Sequence, residues 1–225
     1  MSYTTLFLDL DNTLLDFSKA EYHAIKTVLK NYGLPDDDKT AKIYSDINLS
    51  FWKRFEKGEI EKSEIFEGRF NRLAEVLGAD IDVSAISKDY CLNLAEAYYT
   101  VDGAEEILAY LKAKGYYLCA TTNGLSVTQY KRIKNSGLEP YFNKIFVSED
   151  TGHQKPEKEY FDFVINSIPE KNRDNMLIIG DSQSSDILGG INSGIDTCWY
   201  NPYNDTPKYQ SRYEIKALAE LKTIL

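Results

Sequence analysis

The chain has 225 residues, 43% hydrophobic, 27% charged and 13% aromatic, the profile of a soluble globular protein with room for one large domain or two smaller ones. Its 26 Lys and Arg against 35 Asp and Glu give a formal charge of −9, and without a basic cluster such a chain is a poor match for nucleic-acid backbones or anionic membranes. Cys91, Cys119 and Cys198 are too few and too scattered for a disulfide framework or zinc cluster, and His23 and His153 alone make a Ser-His-Asp triad improbable. Any catalysis is therefore expected to run on carboxylates. No apolar run approaches the ~20 residues of a membrane span, and the first five residues lack the basic start and apolar centre of a signal peptide, so a cytoplasmic location is expected.

Thr4 to Leu10 is a short apolar run rich in strand formers that ends in acidic and polar residues, and it predicts a buried strand. From Ser18 the period changes. Ser18 and Glu21 form a candidate capping box, Ile25, Val28, Leu29 and Tyr32 recur at helical spacing, and Gly33 suits a C-terminal cap. Helical spacing continues through Ile43, Ile47 and Phe51, then Phe66, Phe70, Leu73 and Leu77, then Val83, Ile86, Tyr90 and Leu94. Beyond Asp102-Gly103 the chain alternates. Helices are predicted over 104–114, 127–135, 157–167 and 187–193, and strands over 116–121, 144–148, 176–179 and 196–200. A loop over 201–208 precedes a final short helix.

Strand-helix repetition favours an α/β architecture, a parallel sheet with helices on both faces. The helical block interrupts it after the first strand, which predicts a core of 1–16 and 101–225 and an inserted all-helical cap of 17–100, hinged at its two crossings. In open parallel sheets the reactive crevice lies beyond the carboxyl ends of the strands. Four polar clusters fall there in order: Asp9-Leu10-Asp11-Asn12-Thr13, Thr121-Thr122-Asn123-Gly124, Lys155-Pro156, and Gly180-Asp181 with Asp186. Each alone is compatible with turn or capping chemistry. All four in register with strand ends are not. Asp9 and Asp11, two apart on an extended chain, face the same side and repel by about 4 kcal/mol at ~4 Å and an effective dielectric near ~20. A divalent cation relieves that, and oxygen-only ligands suit magnesium. Lys155 adds a positive charge, and Thr122 with the amides of Asn123-Gly124 offers donors to phosphate oxygens.

These motifs, in this order and context, resemble those of the haloacid dehalogenase superfamily of phosphatases over essentially the whole chain, helical cap included. The resemblance implies a Rossmann-like core and magnesium-dependent hydrolysis of small phosphate monoesters. It implies Asp9 as the nucleophile that becomes an aspartyl phosphate and Asp11 as the acid and then base. Thr122, Asn123 and Lys155 would bind phosphate; Asp9, the Asp11 carbonyl and Asp181 would bind magnesium, with Asp186 supporting through water. An aspartate at position 11 argues for phosphate esters over the dehalogenase and phosphonate branches, although Lys53 in the cap is a formal candidate for the latter. Gly180 to Asn201, Thr121-Thr122-Asn123-Gly124 and Asn48 to Ile60 further resemble bacterial pyrimidine 5'-nucleotidases, with Phe17, Phe51 and Trp52 as candidates for stacking on a base. Such aromatics also suit a core at helical spacing. Sugar-phosphate or phosphoglycolate phosphatase, phosphomutase and a phosphoacceptor binding module are the competing expectations. A monomer or weak dimer is expected.

Overall fold

The structure, a computed structural model, describes residues 3–225. Two compact units divide the chain, one made of the residues through Asp16 together with Tyr98–Leu225, the other of Phe17–Ala97. The second crossing falls three residues before the expected boundary because the two linking segments pair. Asp16 N donates to the Tyr99 carbonyl at 3.1 Å, Val101 N donates to that of Leu14 at 3.0 Å, and Leu15 bridges Thr100, drawing 98–100 into the sheet-bearing unit.

β1 (Thr5–Leu8) is buried along its length. It is shorter than its apolar pattern because the chain turns at Leu10, whose carbonyl accepts from the next turn, although Asp9 still makes one more ladder bond, N–H to the Ile179 carbonyl at 2.9 Å. The helical unit follows as α1 (Phe17–Asn31), α2 (Asp38–Glu56), α3 (Lys62–Leu77) and α4 (Val83–Ala95). Asp37 and Asp82 cap α2 and α4, each carboxylate accepting a first-turn N–H, at 2.8 Å from Thr40 and 3.0 Å from Ala85. The capping box expected of Ser18 and Glu21 is replaced by burial. α1 already begins at Phe17, and the Glu21 carboxylate turns inward to accept from Asn48 Nδ2 at 2.7 Å. Asn48 Oδ1 in turn accepts from Arg69 Nη1 at 2.9 Å, and the Arg69 guanidinium sits among the rings of Tyr44, Phe66, Phe70 and Tyr90, 4.6 Å from the last.

The sheet-bearing unit continues with α5 (Ala104–Ala113), β2 (Tyr117–Thr122), α6 (Ser126–Asn135), β3 (Lys144–Val147), the single turn α7 (Ser148–Thr151), α8 (Lys158–Asn166), β4 (Met176–Gly180), a π-helical segment (Gln183–Ile187), α9 (Leu188–Ser193), β5 (Asp196–Tyr200), β6 (Tyr213–Ile215) and α10 (Leu221–Ile224). All strand pairs are parallel and the order is β3-β2-β1-β4-β5-β6. Neither β6 nor the π-helical segment is legible in the pattern, the first being three residues, Tyr-Glu-Ile, at an edge. On β1, Leu6 and Leu8 join one apolar cluster with α5 and α10 while Phe7 joins the other with α8, so both faces are covered. Full burial of each of these side chains contributes about 1.5–3 kcal/mol. The chain leaves β1 for β2 on one side and later returns to β4 on the other, which makes the β1–β4 boundary a topological switch point. The cysteines are free thiols, two of them buried in β2 and β5. Among the described residues no helix is long and apolar enough to cross a membrane.

Candidate active site

Asp9 leaves the end of β1 almost fully covered, 6% exposed. Its Oδ1 accepts from Lys155 Nζ at 2.6 Å and its Oδ2 from Thr13 Oγ1 at 3.1 Å. The turn that follows is tight: the Leu10 carbonyl gathers the N–H groups of Thr13, Leu14 and Leu15, and Asn12 takes a φ of 60°. Past that curl the two carboxylates take different partners. Asp11 points instead to α6, where its Oδ1 accepts from Arg132 Nη1 and its Oδ2 from Gln129 Nε2 at 2.8 Å.

Lys155 follows α7 and is buried to 1%. Asn123, just past β2, grips its backbone at both ends, Nδ2 donating to the Lys155 carbonyl at 2.8 Å and Oδ1 accepting its N–H at 2.9 Å. One Nδ2 proton and the Oδ1 of Asn123 are thereby engaged with the Lys155 backbone. All three protons of the Lys155 ammonium are directed: to Asp9 Oδ1, to Asp186 Oδ1 at 2.7 Å and to the Thr121 carbonyl at 2.9 Å. Burial works against its charge, but Asp186 and Asp9 outweigh it and hold the amine well above its usual range.

Asp186 lies in the π-helical segment after β4 and is completely buried, its Oδ2 accepting the Ser182 N–H at 3.1 Å. It reaches that place only because residue 180 is glycine: a Cβ there would fall 2.2 Å from Asp186 Oδ2. Asp181 directly follows β4, two residues before that segment. Its N–H donates to Thr13 Oγ1 at 3.1 Å, and its Oδ1 lies 3.4 Å from that hydroxyl. Thr13 thus ties the ends of β1 and β4 together across the switch point.

Ligand-capable oxygens of Asp9, Asp181 and Asp186 all lie within 4.8 Å of one another. Burial pushes the Asp9 carboxyl up to about 7, against the pull of Lys155, and burial with the charges of Asp9 and Asp186 pushes Asp181 well up. Three crowded carboxylates facing one ammonium carry a charge that a hard divalent cation would neutralise, and the all-oxygen donor set fits magnesium. The Asp11 carboxylate stands outside this cluster, so of Asp11 only the carbonyl is left as a candidate ligand.

Thr122, the last residue of β2, accepts at Oγ1 from Gln129 Nε2 at 2.6 Å and from the Gly124 N–H at 3.2 Å. Gly124 is required by close approach, since a Cβ would fall 2.6 Å from the Gln129 side chain. The role of Thr13, placed in the first polar cluster but given none, and the two residues Gln129 and Arg132 escape sequence reasoning. The last two, three apart on a helix, read as an ordinary polar face, although a buried face carrying Thr128, Gln129, Arg132 and Ile133 is the signal that was there to find.

The aromatic candidates all belong to the helical unit and are half-buried. Phe17 opens α1. Phe51 and Trp52 of α2 pack on the small cluster of Phe55, Ile60 and Ile65, with Arg54 stacked 5.4 Å from the Phe51 ring centre. Lys53 is exposed.

Residues 6–200 match the family model of haloacid dehalogenase-like hydrolases. Among curated proteins, the chain is 41% identical to YfnB of Bacillus subtilis, which is named a HAD-hydrolase, over 99% of this chain and 95% of that one. It is 38% identical to the pyrimidine 5'-nucleotidase PynA of Streptococcus pneumoniae, over 98% and 94%, and 28% identical to the pyrimidine 5'-nucleotidase YjjG of Escherichia coli, over 100% and 99%. The crystal structure of YfnB bound to magnesium superposes with a TM-score of 0.95 at 40% identity, covering 100% of this chain and 99% of that one.

Proposed function

The chain belongs to the haloacid dehalogenase-like hydrolases, and from that premise we propose that it is a magnesium-dependent phosphatase of small phosphate monoesters, with pyrimidine nucleoside 5'-monophosphates as its substrates. The observation that carries the reading is the convergence of Asp9, Asp181, Asp186 and Lys155 at the switch point of the sheet. Asp9 attacks phosphorus, and the bond to the ester oxygen breaks as Asp11 gives that oxygen a proton. Asp11 then takes a proton from the water that attacks the aspartyl phosphate, releasing inorganic phosphate and restoring Asp9. Carboxylate attack divides one slow displacement into two easier ones. Asp9, Asp181, the Asp11 carbonyl and, through water, Asp186 would hold magnesium, which when bound would supply positive charge against the phosphoryl oxygens. Thr122 and Asn123 orient the same oxygens, and the Lys155 ammonium offers them its charge while balancing the Asp9 and Asp186 carboxylates.

The nucleotide assignment is supported by the names of PynA and YjjG and by the partly exposed rings of Phe17, Phe51 and Trp52, each able to stack on a base. The test is phosphate release, with magnesium and with chelator, from a panel of pyrimidine and purine nucleoside monophosphates, sugar phosphates and phosphoglycolate. Highest kcat/KM on the pyrimidine nucleotides is expected. Release from sugar phosphates but not nucleotides ends the nucleotide assignment, and acceptance of one phosphate without turnover favours a phosphoacceptor module.

A further inference from the structure

The side chain of Gln129 has one arrangement open to it. Arg132 Nη1, which can only donate, lies 3.0 Å from Gln129 Oε1, which fixes Nε2 as the end that faces Asp11 Oδ2, 2.8 Å away. Reversing the amide would set N–H against guanidinium, donor against donor. The second proton of Nε2 therefore goes to Thr122 Oγ1, at 2.6 Å. With the Gly124 N–H also donating to that oxygen, both lone pairs of the Thr122 hydroxyl are filled. Its single proton is left to be donated elsewhere.

The geometry points to Gln129 and Arg132 as positioning residues that set the polarity of the phosphate-binding hydroxyl: the guanidinium orients the amide, and the amide makes Thr122 a donor while holding Asp11 beside it. This rests on the phosphatase reading for the identity of the anion, and it goes beyond that reading in naming what makes the threonine a donor. A threonine beside a freely rotating neighbour can present a lone pair or a proton; phosphate, which is all acceptors on its non-bridging oxygens, profits only from the proton. The glycine at 124 belongs to the same device, because any side chain there would drive Gln129 off Thr122.

A double-mutant cycle on inorganic phosphate binding decides it, with Gln129→Met, Thr122→Val and the pair compared with wild type by calorimetry in magnesium buffer. If Gln129 acts through Thr122, Gln129→Met weakens phosphate about tenfold in the wild-type background, ~1.4 kcal/mol, and by less than about twofold once Thr122 is valine. Equal losses in both backgrounds overturn the proposal, since a role in helix packing alone would be blind to residue 122. Gln129→Glu serves if the methionine variant does not fold, because it keeps the size and the acceptor for Arg132 but removes both donors. Phosphate affinity is then expected to fall at least as far, with the urea midpoint retained, and unchanged affinity overturns the proposal. Phosphate release from p-nitrophenyl phosphate is followed on the wild type alongside. Binding without release there would fail the reaction assignment and leave the cycle to decide the relay.

Discussion

Lys155 is where the chemistry of single residues is most concentrated. A fully buried ammonium with three acceptors, two of them carboxylates, is stable as a unit and costly in parts, because removing one partner leaves the others charged and dry. Lys155→Met is expected to lower the unfolding free energy in metal-free buffer by about 3–5 kcal/mol, read by urea denaturation. A change below about 1 kcal/mol, the range of exposed ion pairs, would show that Asp9 and Asp186 find other compensation. Thr13 works at the same scale. One hydroxyl stands within reach of the Asp9 and Asp181 carboxylates and receives the Asp181 N–H, so a residue without charge sets the spacing of two that carry it.

At the scale of elements, the π-helical segment and three helices of the inserted unit carry polar groups on faces that their neighbours bury. The π-helical segment after β4 turns Asp186 back under Gly180, toward Lys155, and widened turns of this kind recur at functional sites. In the helical unit, α1, α2 and α3 share the chain Glu21–Asn48–Arg69. Burial raises the Glu21 carboxyl, an effect that outweighs its bonds to Ser45 and Asn48 and the charge of Arg69. The folded chain therefore holds the Glu21 proton more tightly than the unfolded chain does. Stability from this group is complete below the unfolded carboxyl value, about 4.3, and is lost as pH rises through the raised folded value. Glu21→Gln keeps an oxygen for Asn48 and has no proton to lose. Urea unfolding across this range should find the two chains similar at low pH and the wild type falling behind as pH rises; a difference that stays flat with pH would place the charge outside the buried network.

For the whole molecule, the sheet order decides where chemistry can occur. Departures of the chain to opposite sides of β1 and β4 leave their carboxyl ends uncovered by a crossover, and Asp9 and Asp181 stand at those two ends. The acidic cluster gathers three of the chain's 35 acidic residues at one point, and a cation that binds only the folded arrangement of the three aspartates must stabilise it. With magnesium at about 100 times its Kd, unfolding is expected to cost ~2.7 kcal/mol more than in chelator, and the increment should vanish in Asp181→Asn. A thermal midpoint that ignores magnesium would refute the cluster as a cation site without reference to any substrate.

The amino-acid sequence by itself determined the helices of the inserted unit, five of the six strands, and the four polar clusters with Asp9, Thr122, Lys155 and Asp181 in them. Periodicity and turn chemistry are local, and a few residues of context suffice to read them. Tertiary structure alone decided what those residues touch. Arg132 and Gln129 meet Asp11 across 121 and 118 positions of chain, and Lys155 meets Asp9 across 146, separations at which no spacing rule operates. The short edge strand β6 and the inward turn of Glu21 are of the same kind: three residues are too few to show a period, and a glutamate near a helix start reads as a cap until a buried asparagine and arginine offer it a better partner.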